Sequence, residues 1–556
     1  MAPKSTHQNL PFSPAFAFII LNLLFIYGYI FVVLLNYDLS WMAFEKLNTH
    51  LWILENGKYW HWQDLAKFLN TKVIEIDPNR ISRPLSNFVE VLDAKFRANL
   101  WDYITPHPTI SLQWPFLFIG LPIFLYKVFR NLNCQPIIAL AGTSLYLTST
   151  GFLSPIVQYS HPAKNLVNFF VILSLSTVTK FYRTTKPKGV SIKDVDHFWP
   201  ILTATMIWTM AAFLSDETGL FLFIVLGAVL YPFFTKLKEK GVLLAFYLRL
   251  PFIYLLIIRL LLPWLHFLAF HKTVDLGHYR DIPHLSSLFF PNWHDLGINA
   301  FLLFSVHPGL KWYFSPLLGH SFLIFIQSTY TLAFLFIAGL LAYTAHKTGK
   351  LSSRLKQVLT AFTLLIVFIF FHTFQLSHNV RIWTVFWYGC LFSLIYYITL
   401  TLAFQFLWEE FKGKIFKRLL PLIVIIFTAQ GLMTSTYLIR IFKYQSYEPG
   451  KIYYPHIFSG EILPYSFFDL SKSMRESRCL YDYTLLYWDK VKHKDIPASL
   501  PDEAQLCSSV VSSDPNFEVN LAYFMIEGAF EFPSGHSFLN QPDYVARQIR
   551  QAGETP

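Results

Sequence analysis

An acidic residue stands just after the first long apolar run of the chain. Tyr37-Asp38 follows the run from Ala15 to Leu35. A carboxylate at the end of an apolar helix lies at the water boundary, where it can act as a general base towards a hydroxyl group. The alternative is a polar residue that only marks the end of the helix. Ionisable residues beside a bilayer are enriched in functional roles, and both interpretations stay open for Asp38.

A second group of charged residues lies further along the same polar loop. Glu75 and Asp77 are two positions apart, so in an extended segment both carboxylates point to one face. Two carboxylates can hold Mg²⁺ or Mn²⁺, which prefer oxygen ligands. Arg80 and Arg83 follow, and arginine binds phosphate through paired hydrogen bonds. The alternative is a solvated loop of mixed charge.

Two adjacent acids occur again in the sequence Ser215-Asp216-Glu217-Thr218-Gly219, between two apolar runs. Two carboxylates at the mouth of a membrane bundle are costly if they have no role, which favours an acidic position facing the same cavity as the first loop. The alternative is a tight polar hairpin in which Thr218 and Gly219 ease the turn into the next helix.

Arg259 lies in the middle of an apolar run. A guanidinium at that depth costs several kcal/mol unless it faces protein or a cavity. It is therefore a candidate anchor for the phosphate of a lipid, as are Arg280 and Arg381. The alternative for Arg259 is an ion pair with a neighbouring helix.

Two other motifs give weaker indications of a functional site. The histidines of a second polar loop lack the spacing of a zinc site and fit loop contacts to an acceptor or a lipid headgroup better; they are His271, His278, His284 and His294. The sequence from Pro533 to Ser537, PSGHS, resembles a lipid-phosphate phosphatase motif. No histidine follows it, so we interpret it as coincidence.

The composition defines the elements that must position these residues. Hydrophobic residues make up 54% of the 556 residues and charged residues only 14%, against about a quarter charged in soluble proteins. Apolar runs of roughly 20 residues are long enough to cross a bilayer. The prediction is an all-α polytopic membrane protein with about 11 transmembrane helices; two of the runs cover approximately 198–214 and 242–267.

The charge pattern predicts the orientation of the chain. The net charge is +11, but the basic residues fall mainly in short connections between apolar runs, which is the positive-inside signal. This pattern argues against nucleic-acid binding. It predicts a cytoplasmic N-terminus, a transmembrane domain over 1–441, and outer loops at 36–112 and 271–299. A small exocytoplasmic domain at 442–556 follows, in which Cys479 and Cys507 can form a disulfide in an oxidising compartment.

Together these features resemble the C-type glycosyltransferases (GT-C), in particular the O-mannosyltransferase-like branch. The matching elements, in order, are Tyr37-Asp38, Arg83-Pro84-Leu85, Pro108 and the segment from Ser215 to Gly219. Three positions depart from the family pattern. Leu39 stands where the family often has a second Asp, Asp216 replaces a Lys, and Gln113 lies near the place of a missing His. The resemblance covers about Ala15 to Lys240.

The resemblance implies a lipid-linked substrate. It implies a polyprenyl-phosphate sugar as donor and inversion at the anomeric carbon. Asp38 would then be the base, Glu75 and Asp77 helpers or metal ligands, and Arg83, with Arg259 or Arg381, the phosphate-binding group. A nucleotide sugar is disfavoured because it would lie on the wrong side of the membrane.

Two alternatives stay open. The first is a non-catalytic GT-C-like scaffold subunit of a membrane complex, which the missing second Asp favours. The second is a transporter or lipid flippase, which needs polar residues deep within several apolar runs; apart from Arg259 and a few Ser and Thr, such residues are sparse. The sugar and the acceptor or partner subunit are not indicated by any motif.

Overall fold

The structure, a computed structural model, is helical over most of the residues that it describes. The described residues contain no strand and comprise 14–35, scattered positions from 83 to 96, 111–149, 151–153, 162–184, 197–234, 240–270, 339, 342, 352–375, 390–410, 419–429 and 432. The prediction of an all-α membrane protein is confirmed to this extent.

Eleven helices are labelled here in chain order over these residues. They are α1 (Pro14–Leu35), α2 (Leu121–Asn131), α3 (Pro136–Leu147), α4 (Pro162–Thr184), α5 (Phe198–Ser215), α6 (Phe221–Phe234), α7 (Lys240–Leu256), α8 (Leu262–Phe270), α9 (Ser353–Gln375), α10 (Cys390–Glu410) and α11 (Leu419–Ala429). A π-helical segment, Phe116–Gly120, precedes α2, and a 3₁₀ turn, Glu217–Leu220, precedes α6.

Four helical stretches are long and apolar enough to cross a membrane: Ala163–Arg183, Phe198–Ser215, Lys240–Leu265 and Cys390–Glu410. The second and third coincide with the apolar runs predicted near 198–214 and 242–267. The total of about 11 spans is not established by the described residues, which add shorter apolar helices such as Pro136–Leu147.

Helix α10 lies at the centre of the described bundle, and α7 at its edge. The buried share is 94% for the α10 span and 22% for Lys240–Leu265. A fully buried membrane helix must satisfy its polar side chains internally. Thr399 and Thr401 do so by donating to the carbonyls of Ile395 and Tyr397, at 2.8 and 2.6 Å.

Helices that follow one another in the chain, such as α4 and α5 or α9 and α10, run antiparallel, and the described bundle has two ends. At the first, called here the Arg354 end, Arg354 donates to Glu409 at 3.0 Å and to the carbonyls of Leu132 and Asn133. These contacts join the start of α9 to the end of α10 and to the turn between α2 and α3. At the opposite end, called the Asp216 end, α5 finishes while α4, α6 and α10 begin.

The peripheral pair α7–α8 is interrupted by a π-helical segment, Ile257–Leu261, which lies between Pro251 and Pro263. Proline supplies no backbone N–H and displaces the carbonyl four residues before it. The kink expected from the two prolines therefore takes the form of a π turn. Arg259 lies in this turn and is half-buried.

Helices α3 and α10 lie close together at Gly142. A Cβ atom there would overlap Oγ1 and Cγ2 of Thr401. We expect Gly142→Ala to lower the free energy of unfolding by roughly 1–3 kcal/mol through overpacking, measured by thermal unfolding of the purified protein in detergent.

Gly28→Ala is the matched control, since nothing lies within 4 Å of a Cβ at Gly28. The double variant Gly142→Ala/Thr401→Ala lacks both overlapping atoms of Thr401 and should recover part of the stability that Gly142→Ala alone loses. Equal stability of the Gly142 and Gly28 variants would contradict this packing.

Candidate functional site at the Asp216 end

Asp216 caps the turn that follows α5. Its backbone is extended, and its Oδ1 atom accepts hydrogen bonds from the backbone N–H of Thr218 at 2.9 Å and from the Thr218 hydroxyl at 2.5 Å. Aspartate is a preferred N-cap because its short side chain reaches the first unpaired N–H groups of a helix. The local sequence Asp-Glu-Thr therefore suffices to fix the carboxylate at the start of the 3₁₀ turn.

Gly219 allows this turn to fold back on α5. A Cβ atom at Gly219 would overlap the backbone carbonyl of Ala212 and would also press on a methyl group of Val167. Close approach of two backbones requires a residue without a side chain. The tight hairpin that the sequence predicts at Thr218 and Gly219 therefore agrees with the local geometry.

Two cations from separate parts of the chain meet the Asp216 carboxylate. The Lys164 Nζ atom, from the first turn of α4, lies 2.6 Å from Oδ1. The Arg83 Nε atom lies 3.5 Å from Oδ2, an ion-pair distance without hydrogen-bond geometry. Asp216 is fully buried, Lys164 is 1% exposed and Arg83 is 27% exposed. We call these three residues the Asp216 cluster.

The Asp216 cluster carries a net charge of +1 in its ionised form. Burial alone would raise the pKa of Asp216, but the charges of Lys164 and Arg83 and the hydrogen bonds from Lys164 and Thr218 outweigh it and hold that pKa well below its usual range. Asp216 is therefore an anion at every physiological pH. A divalent cation does not fit here, because two positive side chains already surround the carboxylate.

Further polar groups continue from Lys164 into the bundle. The Cys390 thiol, at the start of α10, donates to the Lys164 carbonyl at 3.7 Å. Asn168, one turn further along α4, lies beside Cys390 and Tyr146. The Asn168 amide and the Tyr146 hydroxyl are buried without a hydrogen bond of acceptable geometry to another described residue. Buried polar atoms are nearly always paired, so this region has hydrogen-bonding capacity for water or a ligand.

The structure brings together two of the residues singled out from the sequence, Arg83 and Asp216. Arg259 is not among the cations that shift the pKa of Asp216. Glu217 begins the 3₁₀ turn, and its side chain lies outside the described part of the structure. So do Asp38, Glu75, Asp77, Arg280, Arg381, Cys479, Cys507 and the four loop histidines.

Lys164 is the main residue that sequence reasoning missed. A signal was present, since a lysine two positions after Pro162 opens a run that is otherwise apolar. Such a residue at the non-cytoplasmic end of a predicted span departs from the positive-inside pattern. Within the described residues, no group of three or more His, Cys, Asp or Glu side chains is arranged to hold a metal ion.

The fold and this site define a helical membrane protein with an ion-paired carboxylate buried at one end of its bundle. Comparison of the chain with protein-family models, with curated proteins and with solved structures gives no match.

Removing the Asp216 charge should destabilise the bundle. Asp216→Asn leaves Lys164 buried without its anion, and breaking a buried ion pair in this way costs about 3–5 kcal/mol. The control is Glu409→Gln, which breaks the more exposed pair with Arg354 and should cost less than about 1 kcal/mol. Thermal unfolding compares the two, and the double variant Lys164→Met/Asp216→Asn should be more stable than Asp216→Asn alone.

The contribution of Asp216 should also depend on pH. Its pKa is lower in the folded protein than the value of about 3.9 in an unfolded chain, so its stabilisation is complete above about pH 4 and decreases as the pH falls below that. We expect the difference in Tm between wild type and Asp216→Asn to stay constant from about pH 8 to 5 and to narrow below about pH 4. A difference that narrows already near neutral pH would contradict the depressed pKa.

Proposed function

We propose that this protein is a GT-C-like membrane glycosyltransferase that moves a sugar from a polyprenyl-phosphate donor to an acceptor at the outer face. The observation that carries the proposal is the convergence of Arg83 and Lys164 on Asp216. Both cations lie at one end of a membrane bundle, where the phosphate of a lipid-linked donor would lie.

Arg83 is the member of the cluster that a ligand can reach. It is 27% exposed, whereas Lys164 is 1% exposed. A guanidinium presents several N–H donors in a planar fork that matches phosphate oxygens. The Asp216 carboxylate holds Arg83 from its Nε side and so fixes the direction of that fork. In this proposal Arg83 binds the donor phosphate, and Asp216 and Lys164 position it.

Asp216 is not suited to be the base of this reaction. A carboxylate whose pKa is strongly depressed is a weak proton acceptor, and general bases work best with a pKa near the working pH. In this proposal the base is therefore Asp38, as the family resemblance implies. Helix α1 ends at Leu35, three residues before Asp38, and its Tyr27 hydroxyl donates to the carbonyl of Phe118 at 2.6 Å, just before α2 begins.

The proposed step exchanges one bond at the anomeric carbon. The Asp38 carboxylate takes the proton of an acceptor hydroxyl, and the oxygen attacks the anomeric carbon with inversion. The bond from that carbon to the phosphate oxygen breaks, and polyprenyl phosphate leaves with the negative charge. The cationic cluster stabilises this charge as it develops on the leaving group.

The proposed orientation follows from the distribution of exposed charge. Basic residues concentrate near the Arg354 end, at Arg130, Lys180, Arg183, Arg354 and Lys356. The positive-inside rule makes this end cytoplasmic and the Asp216 end exocytoplasmic. The proposal includes about 11 spans, a cytoplasmic N-terminus and an exocytoplasmic domain at 442–556.

A non-catalytic GT-C-like scaffold is the second candidate. One observation favours it: Asp216 is completely buried and is already engaged by Lys164, Arg83 and Thr218. Such a cluster can also serve only to lock three chain segments together. The two functions differ in what happens when Asp38 and Arg83 are replaced.

The decisive experiment is transfer of a labelled sugar from polyprenyl phosphate by membranes containing the protein. Asp38→Asn should lower the rate by about 10²–10⁴-fold, the contribution typical of a general base, without changing the amount of folded protein. Arg83→Lys should raise the KM for the donor more than it lowers kcat. As a control, Arg130→Lys, near the opposite end of the bundle, should have no effect. Unchanged transfer in Asp38→Asn would favour the scaffold.

A further inference from the structure

A large apolar cavity lies between α2, α4, α6, α9 and α10, apart from the Asp216 cluster. Its volume is about 890 Å³, within the range of about 300–1,000 Å³ that is usual for ligand sites. Along α10 its wall extends from Leu391 to Leu402, about 16 Å at the helical rise of about 1.5 Å per residue. This length equals the hydrocarbon depth of one leaflet, about half of the roughly 30 Å core.

The polar groups of the cavity gather towards one end. Thr179 and Tyr182 contribute from the last turns of α4, and Ser353, Lys356 and Gln357 from the first turns of α9. This is the Arg354 end of the bundle. The rest of the wall is mainly Leu, Ile, Val, Ala and Phe. A long apolar slot with a cationic, hydrogen-bonding rim is complementary to a lipid with a phosphate headgroup.

The cavity is accessible between α6 and α9. Tyr231 on α6 and Leu359 on α9 line it and are 67% and 38% exposed. An opening between two helices at the level of the hydrocarbon admits a chain that diffuses within the bilayer. It does not suit a water-soluble ligand, which would have to cross apolar surface to reach it.

Lys356 is the group available for the headgroup. Its side chain is exposed, and its ammonium makes no ion pair or hydrogen bond with the other residues that the structure describes. Its neighbour Arg354 is instead engaged by Glu409 and by backbone carbonyls. A lysine at the membrane surface attracts anionic lipid.

The headgroup site is distinct from the Asp216 cluster. Lys164 and Thr179 lie about 22 Å apart along α4, from the rise of about 1.5 Å per residue. A lipid with its phosphate at Lys356 therefore occupies the leaflet opposite to one whose phosphate lies at Arg83. The occupant of this cavity is thus a different molecule from the proposed sugar donor, and the inference does not depend on the proposed function.

We propose that this cavity binds one anionic phospholipid, with its phosphate at Lys356 and an acyl chain along α10. Native mass spectrometry of the full chain in mild detergent tests this with added dioleoyl phosphatidylglycerol or dioleoyl phosphatidylcholine. We expect one phosphatidylglycerol to be retained per chain, in preference to phosphatidylcholine.

Two variants separate the headgroup from the chain site. Lys356→Glu should lower phosphatidylglycerol occupancy about tenfold through charge repulsion while leaving phosphatidylcholine unchanged. Thr360→Trp, at an exposed position that lines the cavity, should reduce retention of both lipids by filling the slot. The matched controls are Lys240→Glu and Leu244→Trp, exposed positions on α7 that do not line the cavity; they should retain lipid as the wild type does.

Three results would overturn the proposal. The first is phosphatidylglycerol retention that is the same in Lys356→Glu as in Lys240→Glu. The second is displacement of phosphatidylglycerol by an equal concentration of polyprenyl phosphate, which would assign the cavity to the donor tail. The third is a wild-type chain that retains no lipid, which means that another part of the chain fills the cavity. Gel filtration tests whether each variant is folded. If Thr360→Trp is not folded, phosphatidylglycerol retention by Lys356→Glu alone tests the proposal.

Discussion

The structure depends on a carboxylate buried between two cations. Asp216 has no exposed surface, and Lys164 almost none, so neither charge is solvated by water. Each stabilises the other across 2.6 Å, and Thr218 donates to the same carboxylate oxygen of Asp216. Removing a charge from such a pair leaves the other uncompensated. The ion pairs of Asp216 therefore hold the end of α5, the start of α4 and the segment around Arg83 together.

These contacts explain how the segment that begins at Arg83 is held against the bundle. Helices α4 and α5 pack along their length through apolar side chains and through hydroxyl pairs such as Ser174–Thr209 at 2.9 Å. Arg83 lies immediately before helical residues, and its ion pair with Asp216 ties it to that packed pair. The close approach at Gly219 keeps the Asp216 carboxylate over the start of α4. Helix packing defines the positions of α4 and α5, and the ion pair with Asp216 attaches the segment around Arg83 to them.

Sequence reasoning predicted the class of fold and part of the cluster. Apolar runs of bilayer length identify helices without knowledge of their partners, because the requirement for internal hydrogen bonding is local. Asp216 stands out because two adjacent acids at the mouth of a bundle are costly without a role, and Arg83 because it follows a pair of acids and can bind phosphate. The sequence predicts only that this acidic position and the first loop face the same cavity. The direct contact between Asp216 and Arg83, and the part of Lys164, depend on helix packing, about which periodicity carries no information. The cavity was missed for the same reason, since its wall comes from five helices.

The two ends of the bundle use positive charge in opposite ways. At the Asp216 end two cations are drawn into protein by one anion, so their positions are fixed and one of them, Arg83, remains partly accessible. At the Arg354 end Lys356 is exposed. A guanidinium held by a carboxylate can orient a phosphate, as transfer chemistry needs, whereas a single ammonium attracts a headgroup as a point charge. The two proposals therefore assign a donor phosphate to one end of the bundle and a membrane lipid to the other.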